Sequence, residues 1–159
     1  GALILRDLEL IRRLAQRTTV GVSFSLPTNR EDIRRLYEPH CAPFAQRLET
    51  IAVLRRAGVA TYATLAPLLP SDPEALASAA IEATCENLIG DPLHVREVKR
   101  HGATTRDVAR RIAVKHGHTA WFEPRFQAEI VRTIERVAES ANRRFATGPE
   151  AFSWLAQSR

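Results

Sequence analysis

The sequence predicts an α/β fold, because helical and strand-like segments alternate along its first 95 residues. Apolar side chains recur at helical spacing in residues 7–17, 31–37 and 43–57. Between these helices, residues 18–26 and 60–65 are rich in β-branched and apolar side chains, which is typical of buried strands. Strands joined through single short helical connections run parallel, so we expect a layered parallel sheet or a barrel.

Proline and glycine mark the ends of the predicted helices. Pro43 suits the first turn of the helix over 43–57, and Gly58 is placed to end it as a left-handed cap. Asp72 and Pro73 begin another helix by the same logic, and that helix is expected to reach about residue 86.

Two other short segments are strand-like. Residues 3–5 are apolar and are expected to form a strand of a sheet that begins upstream, with an unpaired edge that invites association. Residues 93–95 are expected to form one further strand.

After residue 103 the pattern becomes helical. We expect a basic helix over 105–116 and a long helix that begins at 123 or 124 and ends near 145. The sequence therefore predicts two units, a sheet-forming part over 1–95 and a helical extension over 96–159.

Composition excludes several classes of protein. The 159 residues are 45% hydrophobic and 26% charged, which fits a globular domain. Charged residues or proline interrupt every apolar run, so we expect no membrane span. Cys41 and Cys85 lie too far apart in sequence for a Cys-x-x-Cys pair, and so few cysteines favour a reducing, cytoplasmic location.

The positive charge is concentrated in residues 96–118, which contain seven basic residues and only two acidic ones, Glu97 and Asp107. Two interpretations fit this segment: a solvated helix face, which we favour, or a surface that binds phosphate or nucleic acid. The basic residues are Arg96, Lys99, Arg100, Arg106, Arg110, Arg111 and Lys115.

In parallel α/β folds ligands bind at the carboxyl ends of the strands, so two loops are candidates for the site. The polar and turn-forming residues of these loops are Ser23, Ser25, Thr28 and Asn29 in the first, and Thr64, Pro67, Pro70 and Ser71 in the second.

Six ordered runs within residues 3–71 resemble a known family. They are Ile4-Leu5-Arg6-Asp7-Leu8, Val22-Ser23-Phe24-Ser25-Leu26, Tyr37-Glu38-Pro39, Gln46-Arg47-Leu48-Glu49, Arg56-Ala57-Gly58 and Ala66-Pro67-Leu68-Leu69-Pro70. In order and spacing they resemble the later half of a radical S-adenosylmethionine enzyme of the spore photoproduct lyase-like group.

This resemblance implies the C-terminal half of a partial (β/α) barrel of the TIM type. In the family, a [4Fe–4S] cluster on a Cys-x-x-x-Cys-x-x-Cys loop takes an electron from a donor protein. It then cleaves S-adenosylmethionine to a 5′-deoxyadenosyl radical. The present chain lacks that loop, and its two cysteines cannot replace it. The cluster ligands are therefore expected upstream of Gly1, and this chain is expected to be inactive by itself.

The resemblance also implies roles for individual residues. Ser25 matches a strand-end serine that bonds the methionyl or ribose part of the cofactor, and Ser23 shares its side-chain direction; a turn-forming role for Ser25 fits equally well. Glu38 and Arg47 match a pair that either clamps a loop, which we favour, or leaves Arg47 to meet the cofactor carboxylate. The adenine is expected along Ala66, Pro67 and Leu68.

Overall fold

The computed structural model describes residues 1–93 and 107–148, together with residues 151 and 153. The strands are β1 (Gly21–Ser25), β2 (Ala60–Leu68), β3 (Leu88–Pro92) and β4 (Phe145–Thr147). The α-helices are α1 (Leu8–Ala15), α2 (Glu31–Tyr37), α3 (Phe44–Arg56), α4 (Pro73–Thr84), α5 (Asp107–His116) and α6 (Pro124–Ser140), and short 3-10 helices span Ala2–Asp7 and Thr119–Phe122.

The four strands form one parallel sheet in the order β1-β2-β3-β4. Each strand therefore lies beside the next one along the chain, without the reversal of order that marks a doubly wound sheet. This arrangement confirms the predicted α/β fold with a parallel sheet.

The main core lies between one face of the sheet and the helices α3, α4 and α6. Phe24 and Leu65 project from the sheet into this core, where Leu54, Leu76 and Ile134 of the three helices are fully buried. Burial of each such aliphatic side chain stabilises the fold by about 1.5–3 kcal/mol. The helical spacing that predicted these segments therefore reflects the face that each helix turns toward the sheet.

The predicted strand at residues 3–5 is wrong, because these residues lie in the 3-10 helix Ala2–Asp7. Ile4 and Leu5 pack against the main core while Leu3 stays 80% exposed. An apolar run too short to show a period cannot distinguish these two conformations. The outer strands of the described sheet are β1 and β4 instead.

The strand predicted at 93–95 is displaced, because the observed strand β3 ends at Pro92. His94 and Val95 lie outside the described residues. Gly90 obscured β3 in the sequence, since glycine is unfavourable within strands. In the structure a Cβ at Gly90 would lie 2.7 Å from the carbonyl oxygen of Leu65 and 2.8 Å from the Phe145 ring, so only glycine fits there.

The basic helix is confirmed over Asp107–His116, whereas the long helix ends at Ser140 and not near residue 145. Asn142 follows with a φ of 55°, which ends the helix, and β4 then pairs with β3. The predicted extension is thus not wholly helical. The predicted division between residues 95 and 96 lies outside the described residues.

Within the described ranges, no helix combines the length and the apolar character that crossing a bilayer requires.

Candidate functional site

The face of the sheet opposite the helices carries hydroxyl and small side chains near the ends of β1 and β2. Ser23 and Ser25 alternate with the buried Phe24, so their side chains lie on this second face. The Ser23 Oγ and Thr64 Oγ1 atoms are 2.6 Å apart, which joins the two strands. The Ser25 hydroxyl donates to the carbonyl oxygen of Ala66 at 3.2 Å. Both predicted serines therefore share one surface with the end of β2.

Tyr62 lies on this second face beside Ser23, toward the amino ends of the strands. A Cβ at Gly21 would lie 3.0 Å from Tyr62 Cε2, so the ring lies against the glycine, and Tyr62 is only 6% exposed. The serine and threonine hydroxyls of this face thus lie toward the carboxyl ends of β1 and β2, where parallel folds bind ligands.

The two candidate loops are held together by hydrogen bonds. The Thr28 hydroxyl donates to the carbonyl oxygen of Pro70 at 2.7 Å. Asn29 Nδ2 donates to the Asp72 carbonyl oxygen at 3.2 Å, and the Asp72 amide donates back to Asn29 Oδ1 at 3.1 Å. Because Asp72 also caps α4 through the amide of Ala75, this loop pair has a defined geometry.

Arg47 is buried beneath the end of β1 and uses every guanidinium nitrogen. Its Nε donates to the Ala42 carbonyl oxygen at 2.8 Å, Nη1 to the Ser25 carbonyl oxygen at 2.7 Å and Nη2 to Glu38 Oε2 at 2.8 Å. The charge pair between Arg47 and Glu38 is therefore confirmed. Arg47 positions the Ser25 backbone, and its charge is already partnered.

The segment expected to meet adenine divides into two parts. Ala66 and Pro67, joined by a cis peptide bond, are half-buried. Leu68 is 1% exposed and belongs to the main core. Ala66 and Pro67 are therefore the accessible members of this segment, while Leu68 anchors it in the main core. Nearby in sequence, the Ser71 Oγ atom is buried without a hydrogen-bond partner in the described part of the chain.

Neither cysteine is placed to hold a metal cluster. Cys41 and Cys85 are both exposed, and Cys85 accepts a hydrogen bond from Arg55 Nη2 at 3.1 Å. No group of three or more metal-ligating side chains occurs among the described residues. The donors of this chain do not fit a [4Fe–4S] cluster, which needs closely spaced thiolates.

Helix α5 presents a basic stripe, defined as Arg110, Arg111 and Lys115. All three side chains are exposed and lie within two turns of the helix. Ala113 of the same helix is fully buried. Within the described residues, no ion pair involves any of the three cations. The stripe therefore remains available to an anionic partner.

Tyr37 and His118, which lie 81 positions apart, form a contact that was not expected from the sequence. Tyr37 Oη and His118 Nδ1 are 3.3 Å apart, and the His116 ring stacks on His118. Burial raises the pKa of Tyr37 to about 12. Burial, followed by the positive charges of Arg30 and His116, lowers the pKa of His118. No sequence signal links residues so far apart, since only the packing of α5 beside α2 joins them.

In comparisons with known proteins, no family model and no curated protein matched the chain. The family resemblance consequently remains a hypothesis that depends on the quoted residues.

Proposed function

We propose that the chain is part of a radical S-adenosylmethionine enzyme of the spore photoproduct lyase-like group. In this proposal the second face of the sheet, near the ends of β1 and β2, lies inside a (β/α) barrel and binds the cofactor. The observation that carries the proposal is the consecutive parallel order β1-β2-β3-β4, with hydroxyl side chains at the carboxyl edge of the face opposite the helices.

The strand order supports a barrel more than an open doubly wound sheet. Right-handed crossovers between consecutive neighbours keep the helices on one side, as in (β/α) barrels. The main core of this chain is on that side. The other face would then form the barrel interior, whose carboxyl end holds the active site in such enzymes.

The residues on this face fit S-adenosylmethionine in chemical type. The hydroxyls of Ser23, Ser25 and Thr64 can bond the ribose or methionyl groups, and Ala66 and Pro67 offer a flat apolar surface to adenine. Arg47 acts as a positioning residue for Ser25, because its Nη1 donates a hydrogen bond to the Ser25 carbonyl oxygen.

The cofactor supplies a 5′-deoxyadenosyl radical when it is cleaved reductively, but this chain carries no cysteine set for the reducing cluster. We expect those ligands, and the surface for an electron donor protein, on another segment of the enzyme. Anaerobic reconstitution of this chain with iron and sulfide should therefore yield no stoichiometric [4Fe–4S] cluster by absorption or electron paramagnetic resonance.

Titration of the chain with S-adenosylmethionine, followed by amide NMR shifts, tests the cofactor site directly. We expect shifts at Ser23, Ser25 and Ala66 but none along α5. Ser25→Ala should weaken binding by about tenfold, since it removes one hydrogen-bonding group. Ser78→Ala, at an exposed position of α4, is the matched control. Shifts confined to α5, or an equal effect of both variants, would contradict the proposal.

A second candidate function, nucleic-acid binding without chemistry, is favoured by the basic stripe. Its three cations are exposed and lie on one side of α5. The expected partner surface is the wider segment 96–118, although residues 94–106 lie outside the described part. Cations at helical spacing along an exposed helix can contact successive phosphates.

The salt dependence of DNA binding tests this candidate. Neutralising three phosphates predicts a slope of about −2.7 for the logarithm of the binding constant against the logarithm of salt concentration. Arg110→Gln should make that slope shallower by about 0.9. Arg12→Gln, on the exposed helix α1, is the control. A flat and weak response would exclude this function.

A further inference from the structure

Asp91 is the single charged residue in the four described strands, β1 to β4. In the pairing of β2 with β3, Ile89 lies beside Thr64, so its side chain lies on the second face as that of Thr64 does. Asp91, two positions farther along β3, has the same side-chain direction. Asp91 therefore lies half-buried on the second face, one residue before β3 ends at Pro92.

One carboxylate oxygen of Asp91 is used within the protein and the other is not. The Gly148 amide donates to Asp91 Oδ1 at 2.8 Å, which holds the carboxylate in place. Among the described residues, no donor bonds Oδ2 and no ion pair involves Asp91. A carboxylate accepts hydrogen bonds through both oxygens and donates none. Asp91 Oδ2 can therefore accept a hydrogen bond from a ligand on the second face.

The position of Asp91 continues a row of groups across the sheet. Residues 65–68 of β2 lie beside residues 90–92 of β3, so Ala66 and Pro67 are next to Asp91. The serine hydroxyls are on β1, at the other side of β2. Because neighbouring strands lie about 4.8 Å apart, the row from β1 to β3 spans roughly 10 Å. A ligand lying across this face would meet hydroxyls first, then a flat apolar surface and then a carboxylate.

We propose that Asp91 recognises the 6-amino group of adenine and so determines the base specificity of the site. This inference rests on the proposed function, in which the ribose or methionyl part binds the serines of β1 and adenine lies on Ala66 and Pro67. The ribose is attached to the five-membered ring of adenine, and the amino group is on the six-membered ring. With the ribose toward β1, the amino group lies toward β3. An amino donor there faces a carboxylate that can only accept.

The methionyl ammonium is the other strong donor of the cofactor. It is joined to adenine through the ribose, so it lies on the ribose side of the base. An ammonium bound to Asp91 would move the base away from the apolar surface of Ala66 and Pro67. The order of groups across the sheet therefore favours the amino group as the partner of Asp91.

The test compares two ligands on matched forms of the whole chain. The ligands are S-adenosylmethionine and its purine analogue, in which hydrogen replaces the 6-amino group and the charge is unchanged. Asp91→Asn keeps an oxygen for the Gly148 amide and replaces Oδ2 with a nitrogen that cannot accept. Asp107→Asn, at an exposed position of α5, makes the same change of charge away from the sheet. Calorimetric titration gives the dissociation constants.

We expect the unchanged chain and Asp107→Asn to bind S-adenosylmethionine about tenfold or more tightly than the purine analogue. Asp91→Asn should bind the two ligands with similar affinity, because the acceptor for the amino group is gone. A general effect of the substitution on stability or charge would change the binding of both ligands equally. If Asp91→Asn does not fold, the comparison of ligands on the unchanged chain still provides a test.

Equal binding of both ligands to the unchanged chain would overturn the inference and leave the proposed cofactor site in place. A preference that persists in Asp91→Asn would assign the amino group to another residue. An equal loss of affinity for both ligands in that variant would mean that Asp91 binds a different part of the cofactor. If the unchanged chain bound neither ligand, the proposed function itself would be contradicted, and the inference with it.

Discussion

Charged side chains are partnered at the hydrogen-bonded ends of β1 and β2 but not on the exposed side of α5. Beneath β1, Arg47 is buried and bonded to a carboxylate and two carbonyl oxygens. On α5, Arg110, Arg111 and Lys115 are exposed and form no ion pair with a described residue. Both regions thus contain arginine, but only the buried arginine has its hydrogen-bonding groups and its charge partnered within the protein.

The difference shows that a buried cation holds the surrounding backbone in place, whereas an exposed cation is free to bind an external anion. A buried cation must be partnered, because the protein interior does not replace the water that it loses. Its partners then fix the backbone around it, as Arg47 does for Ser25. An exposed cation on a helix keeps its hydration and can exchange water for an external anion.

Replacement of Arg47 should produce the largest effect on stability. Arg47→Met leaves Glu38 and two carbonyl oxygens without their donor, so we expect the free energy of unfolding to fall by about 3–5 kcal/mol. Urea unfolding followed by circular dichroism measures the change. In the matched control, Arg12→Met breaks an exposed pair with Glu9 and should cost less than about 1 kcal/mol. Equal losses would remove the distinction between the two regions.

Packing across the sheet should give the next effect. Gly90→Ala places a Cβ against the Leu65 carbonyl oxygen and the Phe145 ring, so we expect a loss of about 2 kcal/mol or more in urea unfolding. Gly117→Ala is the control, because nothing lies within 4 Å of its added Cβ and only its φ of 73° opposes the change. That variant should lose about 1 kcal/mol. A larger loss for Gly117→Ala would contradict the close packing of β2, β3 and β4.

The hydroxyl pair on the second face should contribute less. Thr64→Val removes one partner of the 2.6 Å contact with Ser23, and we expect a loss of about 1 kcal/mol. Adding Ser23→Ala to this variant should cause little further loss, since the pair is already broken. Fully additive losses in a double-mutant cycle would show that the two hydroxyls act separately.

The smallest effect is expected from the contact between α2 and the turn after α5. Because the pKa of His118 is lowered in the folded chain, the unfolded chain binds the proton more readily. The free energy of unfolding should therefore decrease as the pH falls below the ordinary value of 6.5.

His118→Gln should remove this part of the pH dependence, which urea midpoints at several pH values between about 7.5 and 5 would measure. His40→Gln, a histidine replacement at an exposed position, is the matched control. If His118→Gln and the unchanged chain had the same pH profile, the burial of His118 would be excluded as the cause of the pH dependence of stability.

Periodicity, together with the proline and cap signals and the β-branched composition of the strands, was sufficient to predict α2, α3, α4 and α5 and the first two strands. It failed for β3 and β4, which are three to five residues long and contain or follow turn-forming residues. Gly90 illustrates the reason, because its presence in a strand is required by contacts with Leu65 and Phe145 that are distant in the chain. A short strand is determined by its neighbours more than by its own residues.

The candidate site could be predicted only where it depends on residues that are close together in the sequence. The alternation of Ser23 and Ser25 with Phe24 predicts that the two serines share a face, and the pairing of Arg47 with Glu38 was favoured beforehand. The side of Leu68 could not be predicted in this way, nor could the contact of Tyr37 with His118. Both depend on how β2 and α5 pack.

The sequence by itself determined the alternation of helices and strands and the excess of positive charge near α5, because these properties depend on neighbouring residues. Only the tertiary structure decided which strands form the edges of the sheet, which polar groups are hydrogen-bonded and which remain exposed. Those properties depend on contacts such as that between Arg47 and Ser25, whose partners lie 22 positions apart and meet only when the chain has folded.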